Sequence, residues 1–274
     1  MRLSSTFGRG SPALRSAFPL SDDQIRSVAP SIFADDKHTS RSERYTYVPT
    51  VEILRGLRNE GFTPFMVCQS KVRDDGKREH AKHMIRLRHA DRIEAAEANE
   101  IILLNSHDGS SSYQLYAGCF RFVCQNGLVC GTTTNTIRIP HKGDIINDVI
   151  EGAFRVVEDF ERADEEREGM KALTLNNGEQ QAFARAALML KYDQDTPAPI
   201  TETQILRPQR REDMKSDMWT TFNAVQENLV KGGLRGRNTN GNTIRTREVK
   251  GIDQNIRLNS ALWTLAEEMR KLKA

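Results

Sequence analysis

The hydrophobic residues of this chain change period once, and that change limits what it can fold into. Between residues 62 and 139, the stretches FTPFMVCQSKV, HAKHMIRLRH, EIILLN and YAGCFRFVCQ read as strands, with DDGK and SHDGSSS as turns. From Asp144 onward Ile145, Ile146, Val149, Ile150, Ala153, Phe154, Val157 and Phe160 recur at threes and fours, the pattern of an amphipathic helix. Further helices are expected at 178–192, 213–230 and 254–273. In the last, Ile256, Leu258, Leu262, Leu265, Met269 and Leu272 make the buried stripe. Ahead of the strands, YTYVPTVEILRGLRNEGF reads as a short strand running into a helix. Val51, Ile53, Leu54 and Leu57 form its apolar face, and Gly61 stands at the C-terminal cap. Residues 1–40 read as an arm with one short helix beginning at Ser21, followed by Asp22 and Asp23 in the first turn. The expected class is α+β: an antiparallel strand–helix–meander sheet followed by a helical C-terminal half. The divisions fall at 1–40, 41–143 and 144–274.

Hydrophobic residues make up 38% of the 274 and charged residues 28%, which excludes a disordered chain. No apolar run approaches the ~20 residues a bilayer span needs. The N-terminus has arginines but no apolar core behind them, so no secretory signal is expected, and the cysteines form no paired framework. Both point to the reducing cytoplasm. The net charge is only +3, but it is unevenly spread, with two basic regions flanking an acidic middle. A basic patch holds phosphates even on a nearly neutral protein.

Three of the four cysteines fall within CFRFVCQNGLVC, residues 119–130. Zinc ligands come as tighter pairs. Asn126-Gly127 is a strong two-residue hairpin signal, which would pair Val123 with Cys130 and Cys119 with Thr134. On such a hairpin Cys119 and Cys130 share a face roughly 13 Å apart, too far for a disulfide. The cysteines are therefore expected as packing, with no metal and no cofactor.

Four stretches carry candidate chemistry. In REHAKHMIRLRH, strand alternation places Lys82, Arg86 and Arg88 on one face, which either tracks a nucleic-acid backbone or is a solvated outer face. Arg121 belongs to the Cys119 face of the hairpin. In NSHDGSSSYQL, His107 and Asp108 invite a metal-dependent nuclease reading, although Asp-Gly-Ser-Ser-Ser is ordinary turn chemistry. The third is the acidic helical stretch 158–168, which suits a protein-binding, anti-defence surface or a solvated face. The fourth is the loop 231–251. It carries five glycines and sets Lys231, Arg235, Arg237, Arg245, Arg247 and Lys250 against a single acid, Glu248. Six cations in so short a stretch repel one another unless an anion is near. It lacks the phosphate-loop signature of a nucleotide hydrolase. Aromatics are scarce there, so base stacking would fall to Tyr113 or Tyr116.

Taken together, SRSERYTYVPT, RDDGKREHAKHMIRLRH, ILLNSHDGSSSYQL, RFVCQNGLVCG, VIEGAFRVV, and KGGLRGR with the later TRE and LNSALWTLAE resemble domain-of-unknown-function family 932 over nearly the whole chain. The resemblance implies a cytoplasmic bacterial protein of plasmids and prophages, and supplies no activity. The order strand, helix, meander, long helix is also similar, in topology alone, to single-strand annealing proteins of the RecT/Redβ type. The function expected is non-enzymatic binding, with annealing as an extension, of single-stranded DNA by a homo-oligomer. Lys82, Arg86, Arg88, Arg121, Lys231, Arg235, Arg237, Arg245 and Arg247 would make the phosphate contacts.

Overall fold

The computed structural model describes residues 13–36, 46–72, 75–89, 97–121, 126–130, 136–192 and 197–273. These fall into two compact units. One comprises the chain up to residue 129 together with 134–160 and 250–252, and the other holds most of the chain beyond residue 160.

The first unit is built on an antiparallel sheet. Its strands are β1 (Ala13–Arg15), β2 (Phe62–Gln69), β3 (His83–His89), β4 (Glu97–Asn105), β5 (Tyr113–Arg121), β6 (Asn126–Val129) and β7 (Ile137–Ile139). They hydrogen-bond in the order β1-β2-β3-β4-β5-β6, and β7 pairs with the first half of β5. The expected meander is therefore present. Two strands were not anticipated: β1, drawn from the presumed arm, and the short β7. One face of the sheet is covered by α1 (Asp22–Val28), α2 (Thr50–Asn59) and the first half of α3 (Ile145–Ala172).

That core follows from the sequence pattern. Ser21 caps α1 in a reciprocal box with Gln24. Val51, Ile53, Leu54 and Leu57 of α2 are buried against Val67, Ile85, Leu87, Ile101, Leu103 and Leu115 of the strands. To this core α3 contributes Ile145, Val149, Ala153, Val156 and Phe160. The stripe turns slightly from the expected one, taking in Val156 and leaving Phe154 partly exposed, its ring edge-on to Phe62. The division expected at residue 143 is not where the chain divides: α3 contributes to the sheet unit as far as Phe160. Leu20, Ile25, Ala29 and Ile32 sit in the same core, so residues 13–36 are part of this unit rather than an arm.

The hairpin differs from expectation in register. Cys119 pairs with Leu128 and Phe120 with Gly127. Residues 122–125 lie outside the described residues, and Asn126 and Gly127 are thus strand residues. The reason is close packing. A Cβ on Gly127 would lie 2.5 Å from Cζ of Arg86, so glycine is needed there for contact rather than for a turn. Cys68, Cys119 and Cys130 are buried thiols outside any disulfide, and burial pushes the Cys68 thiol up to about 12.

The second unit is helical. Its helices are the rest of α3, α4 (Asn177–Lys191), α5 (Glu202–Leu206), α6 (Met218–Lys231) and α7 (Ile252–Lys273), with a ribbon of β8 (Arg235–Arg237) and β9 (Thr243–Arg245). Helix α6 starts later than expected because Asp217 caps it, accepting from the Thr220 amide at 2.8 Å. Every residue of α6 from Met218 to Leu229 is buried. Its polar side chains are held inside: Gln226 donates to Asn259 Oδ1, Asn228 donates to the carbonyls of Ile205 and Arg207, and Glu227 takes both arms of the Arg210 guanidinium. Of the expected stripe on α7, Ile256, Leu258 and Leu262 are buried while Leu272 is exposed.

Candidate nucleic-acid interface

The segment expected to be a loop at 231–251 carries a two-stranded ribbon. Helix α6 stops at Gly232, whose φ of 64° turns the chain out of the helix. The ribbon closes through asparagine chemistry. Asn238 Oδ1 accepts from the amides of Asn240 and Asn242, and the Asn238 amide donates to the Asn242 carbonyl. Arg235 then stands directly opposite Arg245, and Arg237 opposite Thr243. Alternation places Arg235, Arg237 and Arg245 on one face. Arg247 follows beyond the buried Thr246, and all four arginines are exposed. The other side of the ribbon rests on backbone: Arg237 N donates to Pro199 O at 2.9 Å, and Gln204 Nε2 donates to Arg235 O at 2.7 Å.

Like charges directly opposite on a ribbon destabilise it. Among the described residues, none of Arg235, Arg237, Arg245 and Arg247 has a carboxylate partner. Lys231 differs: its ammonium pairs with Glu227 at 2.7 Å, and that carboxylate also takes Arg210.

The sheet cations lie elsewhere, in the first unit, and the expectation for two of them is corrected. Arg86 and Arg88 do project from the same face of β3, but neither is open to a ligand or to water, each being 2% exposed. Glu100 on β4 lies between them, accepting from Arg86 Nη1 at 3.1 Å and from Arg88 Nε at 2.9 Å. Arg86 also donates to the Leu128 carbonyl on β6. The Arg88 guanidinium lies over the rings of Phe65 and Phe120, 4.4 and 4.3 Å from their centroids. Side chains of β3 thus meet β5 and β6 across the face, which requires the sheet to curl over its own charged side. Arg15 of β1 shares this interior, and burial together with Arg86 lowers it to about 10. Arg121 pairs with Glu97, its direct neighbour across β4–β5, at 3.7 Å. Lys82 lies just before β3 and is half-buried.

His107 also belongs to the interior. It is fully buried, and its Nε2 meets the Thr50 hydroxyl. Thr50, the first residue of α2, places its hydroxyl 3.0 Å from His83 Nε2, 3.0 Å from His107 Nε2, 3.1 Å from Asn105 Nδ2 and 3.2 Å from the Tyr113 hydroxyl. Ser31 and the Ala81 carbonyl hold the other nitrogen of His83. Burial lowers His83 to about 4 and His107 to about 2. Asp108 turns away into its own loop, accepting from the Ser110 amide at 2.8 Å. Among the described residues no three His, Cys, Asp or Glu are arranged to hold a metal ion. Tyr113, buried with its hydroxyl on Thr50 and the Val48 carbonyl, offers no stacking face. Tyr116 is half-buried and donates to Gln114. The importance of Thr50 was not visible in sequence, since its partners come from three strands.

These features define an α+β protein with a charged, closed-over sheet and a separate exposed arginine ribbon. The chain belongs to the family described as Domain of unknown function (DUF932), whose model matches residues 37–263. It is 52% identical to UPF0380 protein YafZ of Escherichia coli (strain K12) over 268 residues, covering 98% of this chain and 97% of that one. UPF0380 protein YfjQ of the same strain matches at the same identity and coverage. No solved structure matches. Among the described residues, no helix is long and apolar enough to cross a membrane.

Proposed function

We propose that the protein binds nucleic acid, single-stranded DNA before duplex, through phosphate contacts from the arginine ribbon and without covalent chemistry. One observation carries the reading. Arg235 and Arg245 face each other across the ribbon, exposed and without a carboxylate partner among the described residues, beside Arg237 and Arg247. Phosphates relieve that repulsion, and guanidinium groups bind them bidentately. No aromatic side chain stands within the ribbon sequence, so recognition by backbone charge rather than by base is the form it takes. The cellular setting that goes with this reading is the bacterial cytoplasm and plasmid or prophage DNA, as the resemblance to family 932 suggests, with a homo-oligomer as the acting form by analogy with the single-strand annealing topology.

The test is binding to single- and double-stranded oligonucleotides across a salt series. Four phosphate contacts on a single strand give a slope near −0.7 per contact, or roughly 50-fold weaker binding between about 50 and about 200 mM salt. This is a gentler loss than the sheet and ribbon together would have given, because Arg86 and Arg88 are withdrawn. Salt-independent binding, or none at low salt, refutes the proposal.

A further inference from the structure

The ribbon has a second feature, at its base. Helix α4 ends at Lys191, whose ammonium reaches across to α6 and to the segment leaving β9. It donates to the Leu229 carbonyl at 2.5 Å and to the Arg247 carbonyl at 3.1 Å. Those two carbonyls bracket the ribbon in the chain. Between them lie Lys231, Gly232, both strands and all of Arg235, Arg237 and Arg245. Three backbone bonds close the same neck: Gly233 N to Thr246 O, Thr246 N to Leu234 O, and Val249 N to Val230 O.

We propose that Lys191 is the positioning residue of the ribbon: its ammonium clamps the two ends of the arginine-bearing segment together, and losing its proton loosens the arginine face and weakens anion binding. The inference rests on the reading of the ribbon as a phosphate site.

The geometry is that of a clamp rather than of an ion pair. Both partners of the ammonium are main-chain carbonyls, and among the described residues no carboxylate lies within ion-pair distance of it. The Leu229 carbonyl belongs to the last turn of α6, where intrahelical donors run out and a cation favours the dipole. A charged donor makes a stronger bond than a neutral one, so the clamp is tightest while Lys191 is protonated.

The position of Lys191 makes that proton labile. It is half-buried, with the Tyr192 ring centroid 5.5 Å from Nζ, and burial lowers it to about 8. Among the described residues, the charged and titratable groups on the surrounding elements are Lys231 and Glu227 on α6, Arg247, Glu248 and Lys250 after β9, the Arg185–Glu202 pair of α4 and α5, and Tyr192 itself. Of these, Lys231, Glu227, Arg185 and Glu202 are engaged with one another in pairs. Tyr192 is pushed up by burial and stays neutral as Lys191 titrates. Guanidinium groups do not titrate in this range. A raised pH therefore releases the clamp while leaving the binding groups ionised.

The experiment uses the full chain and a fluorescent oligodeoxyadenylate, whose phosphates and bases do not titrate in the range scanned. At fixed ionic strength, affinity is expected to fall about tenfold from about pH 7 to about pH 9, the equivalent of one charge-assisted bond. Lys191→Arg retains the clamp at every pH and flattens the profile near the wild-type maximum. Lys191→Met binds weakly at all pH values, again with a flat profile. At neutral pH its Gly233, Leu234 and Thr246 amides exchange hydrogen faster, while the core of α6 stays protected, which separates a loosened ribbon from an unfolded unit. A pH-independent wild type, or a Lys191→Met variant with wild-type affinity and exchange, overturns the inference. The double variant Arg235→Gln/Arg245→Gln tests the ribbon reading by itself. If it binds as tightly as wild type, the phosphate site is elsewhere, whatever Lys191 does to exchange.

Discussion

Glu100 accepts from Arg86 Nη1 at 3.1 Å on a carboxylate that has no exposure to solvent, and Arg88 occupies its other oxygen. Three charged groups are thereby removed from water on the side of the sheet that alternation alone would leave wet. The carboxylate is what makes two buried guanidiniums tolerable. Glu100→Gln is expected to cost about 3–5 kcal/mol, the penalty for leaving buried charge uncompensated. Urea denaturation would register it as a lower midpoint. A variant replacing all three residues by apolar ones of similar volume should recover most of that loss.

Gly127 carries a related prediction. Its missing side chain is where the Arg86 guanidinium lies, and that group is held by both Glu100 and the Leu128 carbonyl. It cannot swing aside without giving up both bonds. Gly127→Ala is therefore expected to destabilise by about 1–3 kcal/mol, as overpacking does. The denaturation slope should stay unchanged, since the fold itself is retained. A neutral substitution would mean that the sheet is less tightly curled than these contacts require.

How far the sequence could be read depended on where the partners lie. The period-two and period-three-to-four patterns gave the α+β class, and Ser21 with Gln24, Leu54 with Leu57, and the helix at 177–191 follow from residues close in the chain. Curling was not legible. HMIRLRH says that Arg86 and Arg88 share a face, but not that β5 and β6 close over it. The same blindness placed the turn at Asn126-Gly127, where glycine serves Arg86, 41 positions earlier in the chain. Arginine density picked out the ribbon because it is a local property. Lys191 was invisible, its partners being carbonyls 38 and 56 residues away.

The seat of the ribbon supplies a test that touches no charge. A Cβ at Gly236 would lie 2.1 Å from the Pro199 carbonyl oxygen, a backbone atom with little room to retreat. Gly236→Ala must lift the ribbon from its support and break the Arg237 N to Pro199 O bond. Oligonucleotide affinity is expected to drop at least about tenfold, while the unfolding midpoint shifts by no more than a surface change does. Equal affinity in the variant would show that the arrangement of the arginines is immaterial to binding.

Charge removal on the ribbon has a different signature. Each phosphate that is no longer neutralised should reduce the slope of log affinity against log salt by about 0.7 on a single strand. Arg235→Gln/Arg245→Gln is thus expected to flatten the slope by about 1.4, uniformly across oligonucleotide sequences. Arg121→Gln, in the sheet unit and paired with Glu97, should leave the slope alone. Equal effects from both variants would return the interface to the sheet.

Acid should unfold the sheet unit through its histidines. His83 titrates near 6.5 when unfolded and is lowered to about 4 by burial, and His107 is lowered to about 2. In both the native state binds fewer protons than the unfolded state, so stability rises with pH across the gap. The contribution is complete above about pH 6.5 and drains away as pH falls, toward about 4 for His83 and toward about 2 for His107. For His83 it amounts to about 3 kcal/mol between about pH 6.5 and about pH 4, at 1.36 kcal/mol per unit. Urea midpoints measured from neutral pH down to about pH 5 should decline steadily, before ordinary carboxylates begin to protonate. Over the same range the imidazole resonances of His83 and His107 should hold their neutral positions. If they titrate near 6.5 in the folded protein, the Thr50 cluster is wet rather than sealed.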